Sequence, residues 1–221
     1  MDDPTDLSRR ILHIDAHLLV LDKPAGLAVH PGPRTPHSLE DHLDQMRQGF
    51  RRAPTPAHRL DRDTSGCLLL ARHPKAHKRL TQLFEAGRVG KTYWAVVDRA
   101  PAEDSGIVDA PLLKISSAAA GWRMIVDTRG KSALTRWEVL ARGERSLIAF
   151  YPQTGRTHQV RVHAATLGCP IAGDPVYGAG QGPMLLHARA LTVPYVENAA
   201  PIGVEAPVPE QWPRDPARAA G

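Results

Sequence analysis

The stretch HRLDRDTSGCLLLAR, from His58 to Arg72, decides how this chain is read. Its second half, CLLLA (67–71), is an unbroken apolar run too short for a helix, so it predicts a strand buried on both faces. Its first half, DRDTSG (61–66), has the composition of a turn, with Asp and Ser to start it and Gly66 to end it. Asp61 lies between Arg59 and Arg62, immediately ahead of the core strand. A carboxylate so placed is either an ordinary turn residue or one kept ionised for chemistry. Guanidinium groups that point at it would favour the second reading. An aspartate held as an anion is a poor general acid, but it serves as a nucleophile, a base or a metal ligand.

The rest of the chain narrows the class. At 221 residues it can bury a sizeable core. No apolar run reaches the roughly 18 residues that cross a bilayer, and the opening MDDPTDLSRR is acidic and polar, unlike a signal peptide. The expected location is the cytoplasm. Two cysteines, Cys67 and Cys169, sit in apolar contexts, which predicts buried free thiols. No CxxC pair supports a structural zinc site. The formal charge is +5, with Arg and Lys crowded over 47–91 and recurring around 156–161, an arrangement that suits an anionic partner such as nucleic acid.

Outward from the opening stretch, ILHIDAHLLVLDKPAG reads as strand, turn and strand closed by a Pro–Gly turn. SLEDHLDQM predicts a short helix with Ser38 as N-cap. PKAHKRLTQLFEA (74–86) predicts a helix that starts on Pro74, buries Ala76, Leu80, Leu83 and Phe84, and stops at Gly87. KTYWAVV is the next strand, with Tyr93, Ala95 and Val97 on one side. SALTRWEVL and SLIAFYP predict an antiparallel pair joined by ARGER. In TGRTHQVRVHAATLG, Thr157 is the expected cap of a helix ended by Gly168. GDPVYGAGQGP is a loop without the strand–turn–helix context of a dinucleotide fingerprint. After LLHARALTVPY the Pro- and Ala-rich end carries little helix or strand signal. Paired strands and few helices predict an α+β fold with a mixed, mainly antiparallel sheet.

Three kinds of chemistry compete for Asp61. A metal pair with Asp63 has no third carboxylate or histidine at a supporting spacing. A two-carboxylate glycosidase needs a partner acid of raised pKa, and Asp63 has no evident source for one. Ser65 does not stand in the G-x-S-x-G of a nucleophile elbow.

HRLDRDTSG resembles the signature of the RluA-type pseudouridine synthases. KTYWAVV is similar to that family's second motif, TGRTHQVRVHAATLGCPIAGDPVYG to its third, and LLHARAL and EAPVPEQW to its closing segments. IDAHLLVLDKPAGLAVHPG resembles its opening strands. The likeness covers roughly 11–212, so the expected layout is a leader (1–10), one catalytic domain (11–212) and a tail (213–221). The N-terminal S4 module of many relatives is not expected. Val204 stands where the family pattern has an aromatic residue.

The resemblance implies an isomerase that turns selected uridines of rRNA or tRNA into pseudouridine with no cofactor and no metal. It implies a curved sheet with a central cleft. The base leaves C1′ of its ribose, turns, and rejoins through C5. Asp61 would be the catalytic residue, either attacking C1′ or removing the 2′ proton, and both routes need its anion. Arg161 would pair with it, and Tyr93 would stack on the target base. His58 and His158 would be hydrogen-bonding scaffold, with His158 also beside the RNA. Arg59 would fill the gap left by the flipped nucleotide. Arg62, Lys75, Lys78, Arg79, Arg88, Lys91 and Arg156 are candidates for RNA contacts. The expected partner is an RNA stem-loop, with the protein itself a monomer that needs no membrane and no obligate protein partner. The rival reading is a catalytically silent RNA-binding or folding factor on the same scaffold.

Overall fold

The apolar run behind Asp61 becomes the strand around which the first half of the molecule is built. In the computed structural model, residues 6–32, 35–117, 121–210 and 212 are described; the first half of the expected leader and all of the tail lie outside them. In chain order the strands are β1 (Ile11–Ile14), β2 (Leu18–Lys23), β3 (Thr55–Pro56), β4 (Ser65–Ala71), β5 (Gly90–Val97), β6 (Ser105–Asp109), β7 (Leu112–Ser117), β8 (Gly121–Val126), β9 (Leu134–Ala141), β10 (Ser146–Pro152), β11 (Leu186–Val193) and β12 (Ile202–Glu205). The α-helices are α1 (Pro74–Glu85) and α2 (Gln159–Thr166). The fold is α+β with a mostly antiparallel sheet and few helices, as expected.

The chain divides into two compact units, residues 1–90 with 188–207, and residues 91–187 with 208–221. In the first unit the strand order is β1-β2-β4-β11, with β3 beside β4 and β12 beside β11. Every residue of β2 and β4 is buried, which explains why LLVL and CLLLA read as continuous apolar runs rather than as an alternation. Their antiparallel register sets Leu18 opposite Ala71 and Lys23 opposite Gly66. Val20, Cys67 and Leu69 share a core with Ala76, Leu80 and Leu83 of α1 and with Leu191, Val193 and Val204. Each large aliphatic side chain removed from water there contributes about 1.5–3 kcal/mol. The helix starts on Pro74, where the missing N–H costs nothing, and His73 caps it by accepting from the Ala76 N–H at 3.1 Å. Gly87, at φ 65°, ends it as expected.

In the second unit the order is β5-β10-β9-β6, and β7 and β8 form a separate hairpin. Ala95, Val97, Ile148, Phe150, Trp137, Val160 and Ala164 make its core, with Tyr93 at the margin.

Three local expectations change, and the end of the expected leader gains a described element. SLEDHLDQM forms a 3-10 helix (Leu39–Met46), although Ser38 caps it as predicted, in a reciprocal box with Asp41. The end of the expected leader, Leu7–Arg10, is a 3-10 turn capped by Asp6. Thr157 is not the cap of α2; the N-cap is His158, in left-handed backbone with φ 54° and no side-chain capping bond. The Pro- and Ala-rich end contains β12, whose partner is β11.

Candidate active site residues

The turn that carries Asp61 is tied down from several directions. The Thr64 N–H donates to the Asp61 carbonyl at 3.2 Å, and the Gly26 N–H donates to the Arg62 carbonyl at 2.9 Å. On its N-terminal side, His58 Nε2 accepts from the Leu69 N–H at 2.9 Å, and its ring lies 4.7 Å from that of Phe84. His58 thus ties the segment ahead of the turn to β4. On the C-terminal side, Gly66 holds φ 102° with Ala188 packed against it; an added Cβ would stand 2.3 Å from the Ala188 carbonyl oxygen. Only glycine fits both the backbone and the space. Asp61 itself is half-buried and Arg59 is exposed. Arg62 does not turn to Asp61. Its guanidinium donates to Asp63 from Nε at 2.9 Å and Nη2 at 3.1 Å.

The cation set beneath this turn is Lys23, which the sequence reading passed over as part of a Pro–Gly turn. It is fully buried at the end of β2. Its Nζ donates to the carbonyls of Pro24 at 2.8 Å, Leu27 at 2.7 Å and Arg62 at 3.0 Å. Three carbonyl acceptors use all three N–H bonds of an ammonium, so this geometry suits the charged form. Burial pushes the group down to about 7, against the pull of Asp63, Asp61 and Asp22. The signal that could have found it is a lysine closing a run of buried residues, where an unpaired charge would be costly.

In the second unit, α2 holds Arg161 almost completely buried against a carboxylate. Arg161 donates to Asp174 from Nε and from Nη2, both at 2.8 Å, with the two side chains 6% and 0% exposed. Asp174 Oδ1 also accepts from the N–H groups of Val176 at 2.8 Å and Tyr177 at 3.1 Å. Burial works to raise this carboxyl, but the Arg161 and backbone donors outweigh it and hold it below the usual range. Asp174 was read only as a loop residue. A bidentate fork of this kind fixes the plane of the guanidinium.

The segment leading into α2 is braced by Gln159. Its Oε1 accepts from the Thr154 hydroxyl at 2.7 Å and the Arg156 N–H at 2.9 Å, and its Nε2 donates to Leu134 and Thr135. Tyr93 is half-buried on β5, opposite Phe150 of β10. His158 Nδ1 is 2.9 Å from the Tyr177 hydroxyl.

The basic candidates separate by what they already hold. Lys75, Lys78 and Arg88 are exposed, the first two on α1. Arg79 donates from Nε to the Tyr195 carbonyl. Lys91 donates to the Thr154 carbonyl at 2.8 Å, and burial, with Arg156 nearby, lowers it to about 8. Arg156 donates to the Ser132 carbonyl at 2.9 Å while its side chain stays exposed.

The two lowered lysines give a pH prediction. Below about 7 both are protonated whether folded or not, so they add no pH dependence. Above that, the unfolded chain binds more protons than the folded one, until the ordinary lysine range near 10.4 is reached. Stability should therefore rise as pH increases through 7 and 8, before the buried thiols of Cys67 (about 12) and Cys169 (about 11) work the other way. Urea midpoints across this window check it; a flat profile refutes it.

Among the described residues no helix is long and apolar enough to cross a membrane. A family model described as RNA pseudouridylate synthase matches residues 17–166. An uncharacterized RNA pseudouridine synthase of Zymomonas mobilis is 52% identical over 212 residues, covering 93% of this chain and 96% of that protein. A ribosomal large subunit pseudouridine synthase D of the same organism is 38% identical over 80% of this chain, which spans 58% of its length. Among solved structures, the human RNA pseudouridylate synthase domain containing 4 is similar at a TM-score of 0.78 and 27% identity, over 92% of this chain and 90% of that one.

Proposed function

The chain belongs to the RNA pseudouridylate synthase family, and from that premise we propose that Asp61 is the carboxylate with which it isomerises uridine in RNA. Family membership makes it an isomerase acting on RNA. In that isomerisation the bond from C1′ to N1 breaks, a bond from C1′ to C5 forms, and the proton lost from C5 is balanced by one gained at N1. An anionic carboxylate serves this by attacking C1′ or by taking the 2′ proton.

The observation that carries the assignment is the setting of Asp61: half-buried on a turn pinned to β2, β4 and a buried ammonium. A carboxylate held this way pays little to reach one reactive position. Lys23 lies within electrostatic reach of Asp61 and Asp63. Tyr93 and Arg161 are the supporting residues of the reaction, in the roles that the family resemblance gives them. The Asp174 fork supports Arg161 as a preorganised cation, because its guanidinium cannot rotate freely.

The experiment is direct. Unmodified large-subunit rRNA fragments and tRNA transcripts are incubated with the chain or with Asp61→Asn, digested to nucleosides, and assayed for pseudouridine. The relative named for the large ribosomal subunit supports rRNA as the first substrate to try.

Exposed Arg59, Lys75 and Lys78 are the phosphate contacts in this reading. If each neutralises one phosphate, log affinity falls with log salt at a slope of about −2 to −3 from these three alone. Lys75→Gln with Lys78→Gln should flatten the measured slope by about 1.5. Anisotropy titrations over a salt series report it, and an unchanged slope removes this helix face from the RNA interface.

A further inference from the structure

The β7–β8 hairpin carries residues that the isomerisation leaves unused. Its register sets Ser116 opposite Trp122 and Lys114 opposite Met124, so Leu112, Lys114, Trp122 and Met124 point to one face. The inner end of that face is buried, with Leu112 and Met124 packed with Val162 of α2 and beside Tyr177. The Met124 N–H donates to the Tyr177 hydroxyl at 3.0 Å, which pins the hairpin to the loop after α2.

The outer end of the same face is open. Trp122 is 44% exposed, a large indole left in water while Leu112 and Met124 do the packing. It is not loose. Its ring lies 4.9 Å from the imidazole of His158, centroid to centroid, at 31°, and the Lys114 ammonium is 4.7 Å from the indole centroid. His158 is itself held firmly, with Nδ1 2.9 Å from the Tyr177 hydroxyl. It keeps a left-handed backbone at φ 54°, a strained conformation for a non-glycine residue. The surrounding structure therefore maintains a strained residue whose ring acts as a floor for an exposed one.

A braced indole with a cation against it and the exposed, polar Ser116 opposite it across the hairpin matches the two faces of a nucleotide. The π-surface suits a base, and the cation suits the phosphate beside it. A protein partner would ask for a broader apolar patch, and a paired duplex offers no free base face. The Tyr177 ring that supports His158 also lies 5.2 Å from the Arg161 guanidinium carbon, so one compact unit holds both the platform and a proposed supporting residue of the reaction. Resting on the reading that the chain modifies RNA, we propose that Trp122 is a stacking platform for an unpaired base flanking the target uridine, with Lys114 drawn to the adjoining phosphate.

Single-stranded oligouridylate and a fully paired RNA duplex of equal length are the probes. Each is titrated against the wild-type chain and against Trp122→Ala, Trp122→Phe and Lys114→Gln. Trp122→Ala should weaken oligouridylate binding by about 5- to 150-fold, the range for one lost base stack, and leave duplex binding unchanged. Trp122→Phe, which keeps a ring, should lose less. Lys114→Gln should flatten the salt slope for oligouridylate by about 0.7. Wild-type affinity in Trp122→Ala overturns the proposal, as does an equal loss on both probes or no oligouridylate binding by the wild-type chain. The pseudouridine yield of Asp61→Asn decides the catalytic assignment separately, since neither probe titration depends on turnover.

Discussion

Asp61→Asn should make no measurable pseudouridine, a loss of about 10⁴-fold or more, as when a residue central to bond-making is removed from other enzymes. The substitution keeps shape and volume and removes only the charge and the reactive oxygen pair. The turn should survive, because the Thr64 N–H on the Asp61 carbonyl and the Lys23 ammonium on the Arg62 carbonyl do not use the Asp61 side chain. RNA affinity should hold or rise slightly, since one negative charge facing a polyanion is lost. Nucleoside digestion measures the first quantity and anisotropy the second. Wild-type turnover in this variant would sink the assignment, and lost binding together with lost turnover would mean that Asp61 is structural.

The second large effect is on stability. Asp174→Ala removes a carboxylate that accepts two N–H bonds from Arg161 and two from the backbone, all in a buried setting. Breaking one side of a buried ion pair costs about 3–5 kcal/mol, which is a large share of the 5–15 kcal/mol that holds a typical domain together. The expected fall in the thermal midpoint is about 6–20 °C. Asp174→Asn, which keeps an acceptor, should fall less. A midpoint within about 1 °C of wild type would show that the fork adds nothing net, as happens when desolvation cancels attraction.

The strands around Asp61 were legible because their burial is written in composition: LLVL and CLLLA have no polar residue to place at a surface. The helix 74–85 was legible from Pro74, its apolar spacing and Gly87. The β7–β8 hairpin was not, because Lys114 stands on the same face as Leu112, Trp122 and Met124 and the anchor, Tyr177, lies some fifty residues further on. Asp174 and Lys23 were missed for a related reason. GDP and DKPAG read locally as turns, and only the folded chain brings a guanidinium to one and three carbonyls to the other. His158 could not be predicted as the helix cap, since Thr157 beside it is the better capping residue by propensity.

The first unit is closed by a late piece of chain. Residues 188–207 belong with residues 1–90, and Leu191, Val193, Val204 and Ala206 sit in one core with Val20, Leu69 and Leu80. Translation delivers those partners about a hundred residues after α1. In a nascent chain α1 can pack on β2 and β4 early, but the part of that core filled by β11 and β12 stays open while residues 91–187 are still being made. The middle of the chain can complete most of its own packing first. Vectorial synthesis thus favours an order in which Arg161 acquires Asp174 before the core beneath Asp61 is sealed, and chaperones that shield apolar strands would meet this protein mainly through its first ninety residues.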